Sequence, residues 1–316
     1  MTCSIRGARV ILSDRAEMDA YQASGIWGAV ALDALFFKAV RATPEKVAFL
    51  DICGLQESAS TPARQMTYGE AGRAVEALAQ RLLQLGLQPD DVVAVQLPNA
   101  AITYLTMLAI WRVQAIACPV SPLWREQEIN AALAQVRARI VITAVHIDGH
   151  DHADMMRYVA AETFSIRHVL AFGQEVPDGV EGLDEIFTAD FDFELPAPRS
   201  DAANHIATLC WDVSQHGALR PVARSHNQWI AAGMMHLLTA ELASDDIILS
   251  AFQPNGLLAI GGVMVPWLLS NCTLALQQPF SAAAFLHALE ETRATYTLLP
   301  PALLTALGQE GGLRKT

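Results

Sequence analysis

The 316-residue sequence is poor in charge, at 17% of residues, and basic residues are the scarcer kind, 21 Lys and Arg against 33 Asp and Glu. A formal net charge of −12 with no Lys/Arg cluster repels a polyanion on average, so no nucleic-acid partner is expected. Long apolar runs are also lacking. The most apolar window, LLAIGGVMVPWLL at 257–269, is shorter than the roughly 18–20 residues of a membrane span and holds a Pro and a Gly pair. It reads as a buried helix. The amino-terminal stretch MTCSIRGARVILSDRAEMDA has no apolar core of about 7–15 residues after its basic residues, and its acids argue against a transit peptide, so a cytoplasmic protein without an export signal is expected. The five cysteines, Cys3, Cys53, Cys118, Cys210 and Cys272, form no Cys-x-x-Cys pair and have mostly apolar neighbours, which predicts reduced core residues. No Walker loop, Gly-x-Ser-x-Gly elbow or His-Glu-x-x-His occurs, nor any internal repeat or low-complexity tract.

What is abundant is apolar sequence, 52% of residues, enough for a sizeable core and two subdomains. Thr67 and Glu70 make a capping box, so a helix starts there; its apolar face runs Ala71, Ala74, Val75, Leu78 and Leu82, and Gly86 stands where a left-handed residue would end it. The continuously apolar DVVAVQL (91–97) predicts a strand covered on both faces. Helix and strand then alternate: helix 100–112, strand 115–120, helix 125–136, strand 139–145, helix 151–162 and strand 167–172. The acidic, Pro/Gly-rich stretch 173–202 is a candidate boundary. A second series follows, with strand 205–211, a polar loop, helix 226–242, strand 246–252, helix 257–269, strand 272–277, helix 281–292, strand 294–299 and a helix from 301. The organisation expected is an entry segment (1–65), a first α/β subdomain (66–200) and a second (201–316).

Two stretches, MTYGEAGRAVEALAQRLLQLGLQPDDVVAVQLPN (66–99) and AIACPVSPLWREQEINAAL (115–133), closely resemble the amino-terminal half of AMP-forming acyl-CoA synthetases and other acyl-adenylate-forming ligases. YQASGIWGAVALDALF (21–36) resembles the entry segment of members that activate aryl, alicyclic or medium-chain acids. The resemblance implies an α/β fold of two doubly wound, mainly parallel sheets, the second incomplete. It also implies activation of a carboxylate with ATP and magnesium to an acyl-adenylate, and transfer to coenzyme A. The family's later elements, among them a mobile carboxy-terminal domain with a catalytic lysine, have no counterpart in the sequence, so this chain alone is expected not to complete turnover, and no catalytic residue is assigned.

The family's phosphate loop has the pattern Thr-Ser-Gly-Thr-Thr-Gly-x-Pro-Lys-Gly, whose glycines let backbone N–H groups approach a pyrophosphate. Registered on SHN (225–227), this chain supplies Asp212, Val213, Ser214, Gln215, His216, Gly217, Ala218, Leu219, Arg220 and Pro221, and only Gly217 matches. Pro221 deletes a donor, Arg220 is a planar fork where a point charge stood, and Asp212 adds a negative charge. Ser214, His216, Gly217 and Arg220 are the candidate nucleotide contacts of a loop expected to bind ATP weakly or not at all. In AFQPNGLLAIGG (251–262) the resemblance places Gln253 and Gly256 at an acyl-pocket turn where the family has His and Gly.

VHIDGHDHADMM (145–156) crowds His146, Asp148, His150, Asp151, His152 and Asp154, but Asp148-Gly149 is a turn signal and Asp151 an N-cap, so no metal site is assigned. His226 is read as capping or packing. The rival to a ligase is a catalytically inactive paralogue acting as a binding module. High hydrophobicity for its charge and an incomplete second sheet predict an exposed edge or apolar patch covered by a homodimer mate or a protein partner.

Overall fold

The structure, a computed structural model, describes residues 10–52, 65–188 and 194–309. Its strands are β1 (Val47–Ile52), β2 (Gln65–Thr67), β3 (Val92–Gln96), β4 (Ile116–Pro119), β5 (Ile140–Ala144), β6 (His146–Ile147), β7 (His150–Asp151), β8 (His168–Phe172), β9 (Glu181–Gly182), β10 (Ile206–Val213), β11 (Leu219–Ser225), β12 (Ile247–Ser250), β13 (Thr273–Gln277) and β14 (Tyr296–Thr297). Seven form one sheet in the order β11-β10-β4-β3-β5-β8-β9, and five form another, β14-β12-β13-β1-β2. Within them β10–β11 and β1–β2 are antiparallel and the other pairs parallel. The α/β architecture of two mainly parallel sheets is therefore as the sequence implied.

The expected boundary near residue 200 does not coincide with sheet membership. β1 and β2, from the first 67 residues, pair into the same sheet as β12–β14, while β10 and β11 complete the sheet that begins at β3. Periodicity cannot show this, because it carries no information on which strands become neighbours.

The layer between the sheets is the helix Ala101–Arg112, buried from Ala101 to Trp111. A helix apolar on every side has to lie inside the protein. It touches β3 and β4 of one sheet and β1 of the other. Beside it Trp267 is ringed by Phe36, Phe49, Tyr68 and Tyr104, with centroids 4.8–6.2 Å away. The capping box at Thr67 forms as read, with the Glu70 N–H donating to Thr67 Oγ1 (3.2 Å) and the Thr67 N–H to Glu70 Oε2 (2.8 Å). Gly86 follows that helix at φ +76°, as expected of a residue free of a Cβ. Cys118, Cys210 and Cys272 are free and buried, while Cys3 and Cys53 lie outside the described residues.

The helix expected at 257–269 is divided. Leu257–Met264 is a π-helix and Val265–Ser270 an α-helix. Pro266 has no N–H to give to the carbonyl four residues back, that of Gly262, which instead accepts from the Tyr296 hydroxyl at 3.2 Å. Ala259–Leu268 is buried, as a core segment should be. Among the described residues no helix is long and apolar enough to cross a membrane.

This segment packs against the helix His226–Thr239 through glycines. A Cβ on Gly233 would lie 2.3 Å from Val265 Cγ1 and 3.2 Å from the Gly261 carbonyl oxygen. Gly233→Ala is therefore expected to destabilise by about 1–3 kcal/mol through overpacking, despite an intrinsic helix gain of about 1 kcal/mol. A urea midpoint equal to or above that of the wild type would refute this close approach.

Candidate functional site

The stretch read as a polar loop at 212–225 is a β-hairpin. β10 continues to Val213, β11 begins at Leu219, and the strands pair in register from Thr208↔Arg224 to Val213↔Leu219. This corrects the expected strand–loop–helix reading. An apolar/polar count ended the strand at Trp211 because the polar residues after it resemble a loop, whereas on an exposed hairpin arm polar side chains cost nothing.

The turn is closed by its own hydrogen bonds. The Ser214 N–H donates to the Ala218 carbonyl (2.9 Å), the Ala218 N–H to Ser214 Oγ (3.0 Å), and the Gly217 N–H to the Ser214 carbonyl (2.9 Å). Gly217 sits at φ +76°, a conformation that favours glycine. Of the four candidate nucleotide contacts, Ser214 and Gly217 thus have polar groups committed inside the turn. His216 and Arg220 are exposed on it, and Arg220 stands at the register position opposite Asp212.

The hairpin is anchored from below. The Trp229 indole donates to Thr208 Oγ1 (2.9 Å), the Arg224 guanidinium lies 5.0 Å above the Trp229 ring, and Ser225 and Gln228 form a capping box at the start of the next helix (3.0 and 3.2 Å). Gln253 and Gly256 lie at the carboxyl end of β12, in the other sheet. Gly256 is the extended cap of the π-helix, and Gln253, half-buried, accepts the Asn255 N–H through its carbonyl (2.8 Å). The two turns thus stand at the carboxyl ends of strands in different sheets; the second leads directly into the π-helix, and β11 separates the first from the helix His226–Thr239, which packs on the π-helical segment at Gly233 and Gly261. Carboxyl ends of strands are where open α/β sheets place ligands.

A family model described as AMP-binding enzyme matches residues 36–316. The chain belongs to that family. It is 26% identical over 294 residues to the salicyl-AMP ligase / salicyl-S-ArCP synthetase of Mycobacterium tuberculosis, covering 92% of this chain and 50% of the relative. It is 29% identical over 216 residues to the 2-hydroxy-7-methoxy-5-methyl-1-naphthoate–CoA ligase of Streptomyces carzinostaticus, covering 66% of this chain and 36% of that one. Among solved structures, the apo structure of MbtA from Mycobacterium smegmatis superposes with a TM-score of 0.83 at 24% identity, over 95% of this chain and 54% of that one. The chain therefore spans about half the length, or less, of the curated relatives named here.

The other candidates of this family member separate in space. His146 Nδ1 lies 2.7 Å from Asp151 Oδ1, Asp154 pairs with Arg157, and His152 is buried with Nδ1 2.8 Å from Gln96 Oε1. Asp148 (φ +49°) and Gly149 (φ +75°) make the two-residue turn between β6 and β7. Among the described residues no three His, Cys, Asp or Glu converge as metal ligands. His226 is a packing residue: buried, it accepts the Leu32 N–H at Nδ1 (3.2 Å) and meets Trp111 edge-on.

Asp51 escapes a motif-based reading. It is the penultimate residue of the apolar strand VAFLDI and is 3% exposed; its Oδ1 accepts the Ala101 N–H (3.0 Å), and its Oδ2 has no partner. Burial pushes its carboxyl up to about 7, against the pull of that one hydrogen bond. Asn99 lies beside the same helix start; it donates to the carbonyls of Ser250 (2.9 Å) and Gln277 (3.3 Å), and its own N–H donates to Gln278. The available signal was one carboxylate inside a hydrophobic strand.

Burial holds His152 down to about 4 and His226 to about 3. These two lose stability as pH falls below about 6.5, where the unfolded chain takes up protons they refuse. Asp51 acts with the opposite sign. The folded state keeps its proton up to about 7, so its contribution falls as pH rises from about 4 to 7. Asp51→Asn, which keeps the acceptor for Ala101, is expected to exceed the wild type by up to about 4 kcal/mol at pH 8 and to match it near pH 4. Denaturant titrations across that range decide it; an advantage that does not depend on pH would sink the assignment.

Proposed function

We propose that the chain is an acyl-CoA synthetase-like family member in which nucleotide binding at the hairpin has been lost. In this reading it serves as an acid-binding and partner-docking half and does not itself catalyse adenylation. Members of this family use ATP and coenzyme A. The observation that carries the loss is the closed turn: the Gly217 and Ala218 N–H groups point back to Ser214, and position 221 has no N–H at all. A phosphate cradle needs such groups aimed outward. Asp212, on the same hairpin, adds a charge of the wrong sign for a triphosphate and its magnesium-bound oxygens.

The substrate class is a small carboxylic acid. The relatives named above are ligases of a salicyl group and a naphthoate, and the turn with Gln253 and Gly256 stands at a strand end suited to an apolar pocket between the sheets. Partner docking is supported by large apolar side chains left open near that face, Met235 and Leu238 at 66% and Leu257 at 58% exposure, and by the two-residue edge strand β14. A homodimer mate or a separate polypeptide would both serve. The exposure of His216 and Arg220 supports a second reading, a weak nucleotide site using these side chains.

Thermal unfolding with Mg-ATP separates the two. A ligand at about a tenth of its Kd stabilises by less than about 0.1 kcal/mol, so no shift is expected for the wild type at roughly millimolar nucleotide. The triple variant Asp212→Thr, Ser214→Gly, Pro221→Gly is expected to gain at least about tenfold in affinity. A saturable wild-type shift, with a Kd below about 0.1 mM, would establish the second reading and remove the first.

A further inference from the structure

A cavity of about 380 Å³ opens at the amino-terminal ends of β4 and β10, between residues 29–41, the carboxyl end of the helix Ala101–Arg112 and the segment 196–206. The hairpin turn is at the other end of β10, whose seven residue steps span roughly 23 Å. Phe37, Trp111 and Ile206 line the apolar side, and Val30, 47% exposed, stands at the mouth. The volume lies in the range of small-molecule sites, about 300–1,000 Å³.

The polar side is built on one incompletely paired arginine. The Arg112 guanidinium lies 5.0 Å over the Phe37 ring, its Nε is buried without a hydrogen-bond partner, and its acidic neighbour Glu76 is 3.9 Å away and 46% exposed at its side chain. The Nε is enclosed by protein, so a ligand in the cavity would accept from the terminal nitrogens of the guanidinium, whose side chain keeps 24% exposure. Arg41, in the last turn of the helix Leu32–Ala42, lines the same cavity. The third arginine is already neutralised: Arg199 holds Asp90 through two nitrogens, at 2.9 and 3.1 Å.

We propose that this cavity is a second ligand site, separate from the hairpin, that takes a small carboxylate with an apolar body. The carboxylate accepts from Arg112 and Arg41, and the body lies against Phe37 and Trp111. Asp33, at the inner wall, and Glu76, beside Arg112, are the groups that could oppose an anion. Burial raises the Asp33 pKa against the pull of Arg112, which lessens its opposition to an anion. His226 at the floor is neutral and has its Nδ1 filled by the Leu32 N–H. The proposal does not depend on the state of the nucleotide hairpin.

Titration calorimetry and ligand-detected NMR on the whole chain, with benzoate as probe and benzamide as its neutral counterpart, test it. Benzoate is expected to occupy this cavity as one site that Ala34→Trp removes, and benzamide to bind there about tenfold more weakly. Arg112→Gln is expected to weaken benzoate by about tenfold or more, and Arg41→Gln by less, since Arg41 is exposed. Ala34→Trp, an exposed helix position on the cavity wall that leaves Arg112 in place, is expected to abolish binding and decides the matter if Arg112→Gln does not fold. No benzoate binding, equal binding of benzamide, or benzoate affinity and stoichiometry unchanged in Ala34→Trp would overturn the proposal, as would unchanged affinity in a folded Arg112→Gln.

Discussion

A helix with no face in water must have its end groups satisfied by protein, and the helix Ala101–Arg112 is the member on which the other parts of this fold depend. Ala100 has no side chain to cap it, so the first N–H is taken by Asp51, reaching across from β1 in the five-stranded sheet. At the far end Trp111 donates to the carbonyl of Ala207 in β10, in the seven-stranded sheet (2.8 Å). One helix is thereby pinned at one end by each sheet, and the sheets have little freedom to slide. The unpaired Oδ2 of Asp51 and its raised pKa are the cost of that arrangement.

The same scaffold explains how turn chemistry can diverge while turn placement stays. Backbone pairing from Thr208↔Arg224 to Val213↔Leu219 holds the hairpin arms, and the Thr208–Trp229 hydrogen bond fixes the base. Neither demands particular side chains from 212 to 221. Apart from Gly217 at φ +76° and the Ser214 hydroxyl that accepts from Ala218, side chains there can be exchanged without loss of the fold, because the positions are mostly exposed. The close approach of Gly233 to Val265 has no such freedom, since a single added carbon meets a side chain in the core.

Much of the fold was legible along the chain. The Thr67/Glu70 capping box, the left-handed Gly86 and the strands β3, β4, β5, β8 and β13 follow from local chemistry and short apolar runs, and they lie within a residue or so of their expected places. The candidate site was legible only in part. The positions of Ser214, His216, Gly217 and Arg220 on one turn could be read, but not that the turn joins two paired strands, because pairing is a property of the partner strand. In the π-helix Leu257–Met264, Tyr296 meets the Gly262 carbonyl that Pro266 leaves free, a contact between residues 34 positions apart.

The sequence by itself determined the α/β class, the order of the elements and the family, because periodicity, caps and local motifs are encoded within a few residues of one another. Only the tertiary structure decided which strands share a sheet, that the carboxyl of Asp51 is enclosed at a helix start, and that Arg112, Arg41 and Phe37 face one cavity. Those outcomes rest on burial and on contacts between distant segments, and no local pattern records what will surround a side chain once the chain has closed around it.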